Sequence, residues 1–169
     1  MERKALISDR RLEVLARYAQ AGLAAALVIQ AAHVVEHVAQ VVQKFVLGYT
    51  VAPGFLGSVF DLEWVHFTFN TALELALIVI FVWWRRSNLG RVPLILTAAV
   101  LFQGYHAFEH VVKMYQYYAL GITVAPKGIL GYIFPLIWLH FSLNLITLAL
   151  MLGAWLKIRP REAQTMVPA

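Results

Sequence analysis

Two stretches decide the reading of this chain: QAAHVVEHVAQVVQKFVLGYTVAP at residues 30–53 and QGYHAFEHVVKMYQYYALGITVAP at residues 103–126. They align without a gap, and 12 of 24 positions are identical. With Lys127 as a single insertion, residues 54–70 then align with 128–144, and 9 of 17 positions are identical. Half-identity sustained over that length is more than apolar composition produces by itself, so the chain reads as a tandem duplication.

Working outward, each copy sits in long apolar sequence. Stretches at about residues 18–47, 64–84, 92–120 and 134–156 each reach the roughly 20 residues that cross a bilayer. Lipid tolerates no unpaired backbone, so these are expected to be helices. The first and third exceed a simple span and are expected to tilt or project beyond the hydrocarbon. Composition agrees: 61% of the 169 residues are hydrophobic and 14% charged, against about 25% charged in soluble domains. The expectation is all-α: a single integral membrane domain over residues 1–169, a four-helix bundle made of two tandem two-helix repeats, about 18–84 and 92–156. Two spans per repeat insert both units the same way up, related by a pseudo-two-fold axis along the membrane normal.

Charge sets the expected orientation. Arg3, Lys4, Arg10, Arg11 and Arg17 precede the first span, Arg85, Arg86 and Arg91 join the second to the third, and Lys157, Arg159 and Arg161 follow the fourth. The two other loops hold only Lys127 as a basic residue. The positive-inside rule then makes the N- and C-terminal tails cytoplasmic. Basic residues placed this way report topology, so the net charge of +5 gives no reason to expect nucleic acid as a partner. The first apolar run is too long for a signal peptide. Without cysteine there are no disulfides, thiolate metal sites or iron–sulfur clusters.

All six histidines fall within the repeated motifs. Q-x-x-H-x-x-E-H occurs as Gln30, His33, Glu36, His37 and as Gln103, His106, Glu109, His110; W-x-H-F-x-x-N occurs as Trp64, His66, Phe67, Asn70 and as Trp138, His140, Phe141, Asn144. Residues three or four apart share a helix face, so each motif makes a polar cluster, while intervening positions such as Val34 and Ala107 are expected to face lipid. At about 1.5 Å per residue from Arg17 and Arg86, the clusters lie some 24–30 Å from the basic end, toward the non-cytoplasmic face. Ionisable groups within a membrane are costly and read as functional by default.

Imidazole suits Zn, Cu, Fe and Ni, and carboxylate adds oxygen donors. The expected site is a pair of metal ions held by His33, Glu36, His37, His66, His106, Glu109, His110 and His140. Glu36 and Glu109 either ligate or accept a hydrogen bond from a ligating imidazole. Gln30, Asn70, Glu74, Gln103 and Asn144 are candidates for additional ligands or supports, though the asparagines serve equally well as interhelical hydrogen-bonding groups. Glu74 breaks the repeat, because Leu148 stands at its matched position; the open roles for it are a ligand, a proton relay or a contact with a neighbouring subunit. Mixed nitrogen and oxygen donors favour iron, with copper or zinc next. The logic is that of soluble di-iron bundles. The histidine pairs are also similar in kind to the boxes of membrane fatty-acid desaturases and hydroxylases. Those use H-x-x-H-H where this chain has H-x-x-E-H, and membership is not inferred.

The expected function is an oxidoreductase acting on an apolar, membrane-dissolved small molecule, with the bilayer as the other partner. Four alternatives stay open: a haem b electron-transfer protein, a metal or proton transporter, an accessory subunit of a larger membrane complex or homo-oligomer, and a zinc hydrolase. Against haem stand the glutamates beside the histidines and the pairing of histidines one turn apart on one helix. Pro and Gly in both T-V-A-P…G loops predict rigid turns that roof the cluster, and Asp61 with Glu63 makes the first loop acidic enough to attract cations.

Overall fold

In a computed structural model, residues 2–87 and 92–158 are described, with the backbone alone for residues 2–11. Arg91, Arg159 and Arg161 fall outside the described residues, as do the side chains of Arg3, Lys4, Arg10 and Arg11. The described chain is all-helical: α1 (Glu2–Phe45), α2 (Leu62–Ser87), α3 (Leu94–Ala119) and α4 (Leu136–Ile158), with one 3₁₀ turn in each of the α1–α2 and α3–α4 loops at Leu56–Ser58 and Leu130–Tyr132.

Local chemistry places the helix ends. After α1 and α3 the chain turns at Gly48 and Gly121, both at positive φ, where a side chain would be strained. Asp61 opens α2 by accepting the Trp64 amide on Oδ1 at 3.1 Å, and Pro93 and Pro135 stand immediately before α3 and α4, where a missing N–H costs nothing.

Each helix packs against two others: α1 on α2 and α4, α3 on α2 and α4. Three helices, α1 over Leu12–Phe45, α2 and α4, are long and apolar enough to cross a membrane, as expected of an integral membrane protein. α3 is as long as α2 but is interrupted by Gln103, His106, Glu109, His110, Lys113 and Gln116, and all six are buried in the bundle.

The interior has two layers. Toward the start of α1 and the end of α2 it is apolar: Leu23, Leu77, Leu96, Ala99, Met151 and Ala154 are sealed from solvent, with Ala16, Ala19, Ile80 and Trp84 around them. Toward the α1–α2 and α3–α4 loops it is polar and contains every histidine. Val34 and Ala107, expected to face lipid, are both buried. Because α1 and α3 each have two neighbours, the faces flanking their histidine stripes are covered as well.

Candidate metal centre

His33 and His37 on α1 meet His66 on α2, and His106 and His110 on α3 meet His140 on α4. In each group one nitrogen per ring can be chosen so that all lie within 4.8 Å of one another. Each triad is therefore built by one half of the chain. The triads adjoin: the His66 and His110 rings lie parallel with centroids 5.6 Å apart, and His140 lies 6.1 Å from His66 and 5.1 Å from His110. All six rings are buried.

Neighbouring groups set the tautomers. A carbonyl can only accept, so Nδ1 of His66, 2.8 Å from Leu62 O, carries the proton, as does Nδ1 of His140, 2.8 Å from Leu136 O. His37 Nδ1 donates to Gln40 Oε1 at 2.8 Å, and its Nε2 accepts from the Asn144 amide at 2.9 Å. These three neutral rings keep Nε2 as a lone pair, which is how outer hydrogen bonds orient a metal-binding histidine. His66 Nε2 is buried and has no hydrogen-bond partner among the described residues. Nε2 of His37 lies 3.2 Å from Nε2 of His33, and Nε2 of His110 lies 3.3 Å from Nε2 of His106. Two nitrogens about 2.0–2.1 Å from one tetrahedral ion stand about 3.3 Å apart. Within each helix, then, the histidine pair already has the spacing of one edge of such a shell, with the third histidine within 4.8 Å of both.

The glutamates are placed otherwise. Glu36 accepts the amides of Phe55 and Leu56 at 3.0 and 2.9 Å; Glu109 accepts those of Ile129 and Leu130 at 2.6 and 2.8 Å and the Tyr105 hydroxyl at 2.8 Å. Each carboxylate therefore ties the loop that follows its helix down onto the bundle, and no imidazole donates to either among the described residues. Gly54 and Gly128 make this possible. Both have positive φ, and a Cβ at either would overlap the carboxylate. Gln43 and Gln116 complete the clamp: each side-chain oxygen accepts its glycine's amide at 2.8 Å, and each side-chain amide donates to that glycine's carbonyl.

Beneath the histidines, Gln30 donates to Asn144 Oδ1 at 3.1 Å and Gln103 to Asn70 Oδ1 at 3.0 Å. Each asparagine amide returns to the carbonyl one turn back, His140 O or His66 O, at 2.9 Å. These four residues thus brace the layer across the two halves. Glu74 lies apart from both triads, its carboxylate against Gly104 and its Oε2 buried without a partner among the described residues. The loop acids are already engaged: Asp61 caps α2 and accepts from Tyr117 at 3.2 Å, and Glu63 pairs with Lys113 at 3.0 Å.

Sequence reasoning passed over Gln40, Gln43, Gln116, Lys113 and Phe69, whose ring stacks on His33 with centroids 3.8 Å apart. A signal was present for two of them, since Gln43 and Gln116 are identical at matched positions of the repeat. Comparison with known proteins adds no assignment: no family model matches the chain, and neither a curated protein nor a solved structure matches it significantly.

Proposed function

We propose that this chain is a membrane metalloprotein with two adjoining tri-histidine metal sites, acting as an oxidoreductase on an apolar, membrane-dissolved substrate. The observation that carries the proposal is the pair of buried histidine triads, in which backbone and amide partners leave Nε2 of His37, His66 and His140 as a lone pair. Engagement of Glu36 and Glu109 by loop amides weakens the mixed-donor argument for iron. An all-imidazole set favours copper as the first choice, with zinc and iron following. Redox chemistry is preferred to hydrolysis because the layer is buried and roofed by clamped loops, which suits an apolar reactant better than a supply of water. A haem would have to separate rings that are in mutual contact. A transport route would have to cross the sealed apolar layer of Leu77, Leu96 and Met151.

The arrangement also supports two tandem units related by a pseudo-two-fold axis along the membrane normal. Exchanging α1 with α3 and α2 with α4 carries Gln30–Asn144 onto Gln103–Asn70, and the Glu36 clamp onto the Glu109 clamp. In this reading α3 is the fourth span. Arg17, Arg85, Arg86 and Lys157 mark the cytoplasmic end, and the site lies in the outer half.

The test is elemental analysis and optical spectroscopy of full-length protein purified in detergent from metal-replete cells. Two ions per chain are expected, falling to about one in His37→Ala and in His110→Ala. Metal-free protein, or a strong Soret band, would end the proposal.

A further inference from the structure

The two triads have unlike surroundings. Three residues after His37 stands Gln40, and three residues after His110 stands Lys113; at that spacing each shares its histidine's face. Gln40 accepts the His37 Nδ1 proton. Lys113 has only donors to offer, and His110 Nδ1 is buried without a hydrogen-bond partner among the described residues, as is His106 Nδ1. The Lys113 ammonium pairs instead with Glu63, its side chain 7% exposed and that of Glu63 12%. Glu63 stands three residues before His66, whereas Ile137 stands three residues before His140. The ammonium bears electrostatically on all three rings of the second triad and on His37 and His66 of the first.

We infer that the chain binds its two ions unequally, more tightly at His33, His37 and His66 than at His106, His110 and His140, with Lys113 setting the difference. This rests on the two-metal reading above. An acceptor on the far nitrogen orients a ligating imidazole and makes it more basic, and losing one lowers metal affinity about 10–100-fold. In the first triad His37 has that acceptor; in the second, neither His106 nor His110 has one among the described residues, and Lys113 holds the sequence position that Gln40 holds in the first. One contact opposes the difference, because the Asn144 amide occupies the His37 lone pair that an ion would take. That amide keeps its bond to His140 O, so releasing its share costs roughly a few-fold, less than the orienting effect supplies. An unequal pair suits a centre in which one ion stays bound while the other changes its coordination.

Chelator-stripped full-length protein in detergent is titrated with Co(II) alone, read by its visible ligand-field bands. Wild type is expected to fill in two steps separated by about 10–100-fold. His37→Ala removes the tight step and His110→Ala the weak one. In the double variant Lys113→Gln with Glu63→Ile, both histidine pairs meet the same kinds of neighbour, and the steps draw together. Two equal steps in wild type overturn the inference while leaving the metal reading intact, as does loss of the tight step in His110→Ala or a double variant whose steps stay apart. Wild type that binds no cobalt ends both. If the double variant does not fold, the two histidine variants still decide.

Discussion

The two layers of this bundle cohere for different reasons. In the layer of Leu23, Leu77, Leu96 and Met151, any apolar side chain of suitable volume is interchangeable in principle, since lipid offers much the same surroundings and only close packing distinguishes helix from lipid. In the layer of histidines, glutamines and asparagines, each group depends on a particular partner at a particular angle, and removing one member strands another. The first layer sets how close the helices approach; the second sets their register. A protein needing only stability would have extended the apolar layer to both ends, so the partner-dependent layer is where function is to be sought.

The largest break in that contrast is expected at the loop clamp. Gly54→Ala adds left-handed strain and a methyl group where Glu36 lies, leaving a buried carboxylate and two amides to find new partners. The expected loss is about 4 kcal/mol or more. Gly48→Ala is the matched control. Its φ of +71° is similar to the +76° of Gly54, but open space surrounds it, so it should lose only the strain, about 1–2 kcal/mol. Denaturant unfolding in mixed micelles measures both, and equal losses would show that the clamp contributes nothing.

Next in size is the apolar layer. Leu77→Ala should destabilise by about 2–5 kcal/mol and leave metal stoichiometry unchanged; a loss of metal there would mean that the layers are not separable. Glu36→Gln sharpens the role of the carboxylate. Acting as a loop anchor, it should lose about 1.5–3 kcal/mol, the worth of hydrogen bonds to a charged group, while keeping both ions. A 10–100-fold fall in metal affinity would instead make Glu36 a ligand or its direct support. The smallest effect is expected at Asn70→Leu, about 0.6 kcal/mol for an interhelical hydrogen bond in a membrane bundle. Asn144→Leu should additionally free the His37 lone pair and tighten metal binding slightly, an effect visible in the first step of a cobalt titration.

Much of the site was legible in the chain because helical geometry is local. The spacing of His33 and His37, and of His106 and His110, places each pair on one face with no knowledge of the rest of the fold. Confinement of all six histidines to matched motifs indicated a single polar layer. The role of the glutamates was not legible. A carboxylate one residue before a histidine points some 100° away from it around the helix, and whether that direction meets an ion or a loop depends on where residues 54–56 and 128–130 return. Lys113 escaped notice for a similar reason: its partner Glu63 is fifty residues away on another helix, and pattern alone gives such a pair no signal.

By itself the sequence determined an all-helical, apolar chain with two polar clusters at one level, because composition, hydropathy and the 3.6-residue period act over short distances. Only the tertiary structure decided that the carboxylates hold loops and that the two triads differ in their neighbours. Those outcomes depend on which helices pack side by side and how the α1–α2 and α3–α4 loops fold back onto them, and both are contacts between residues far apart in the chain.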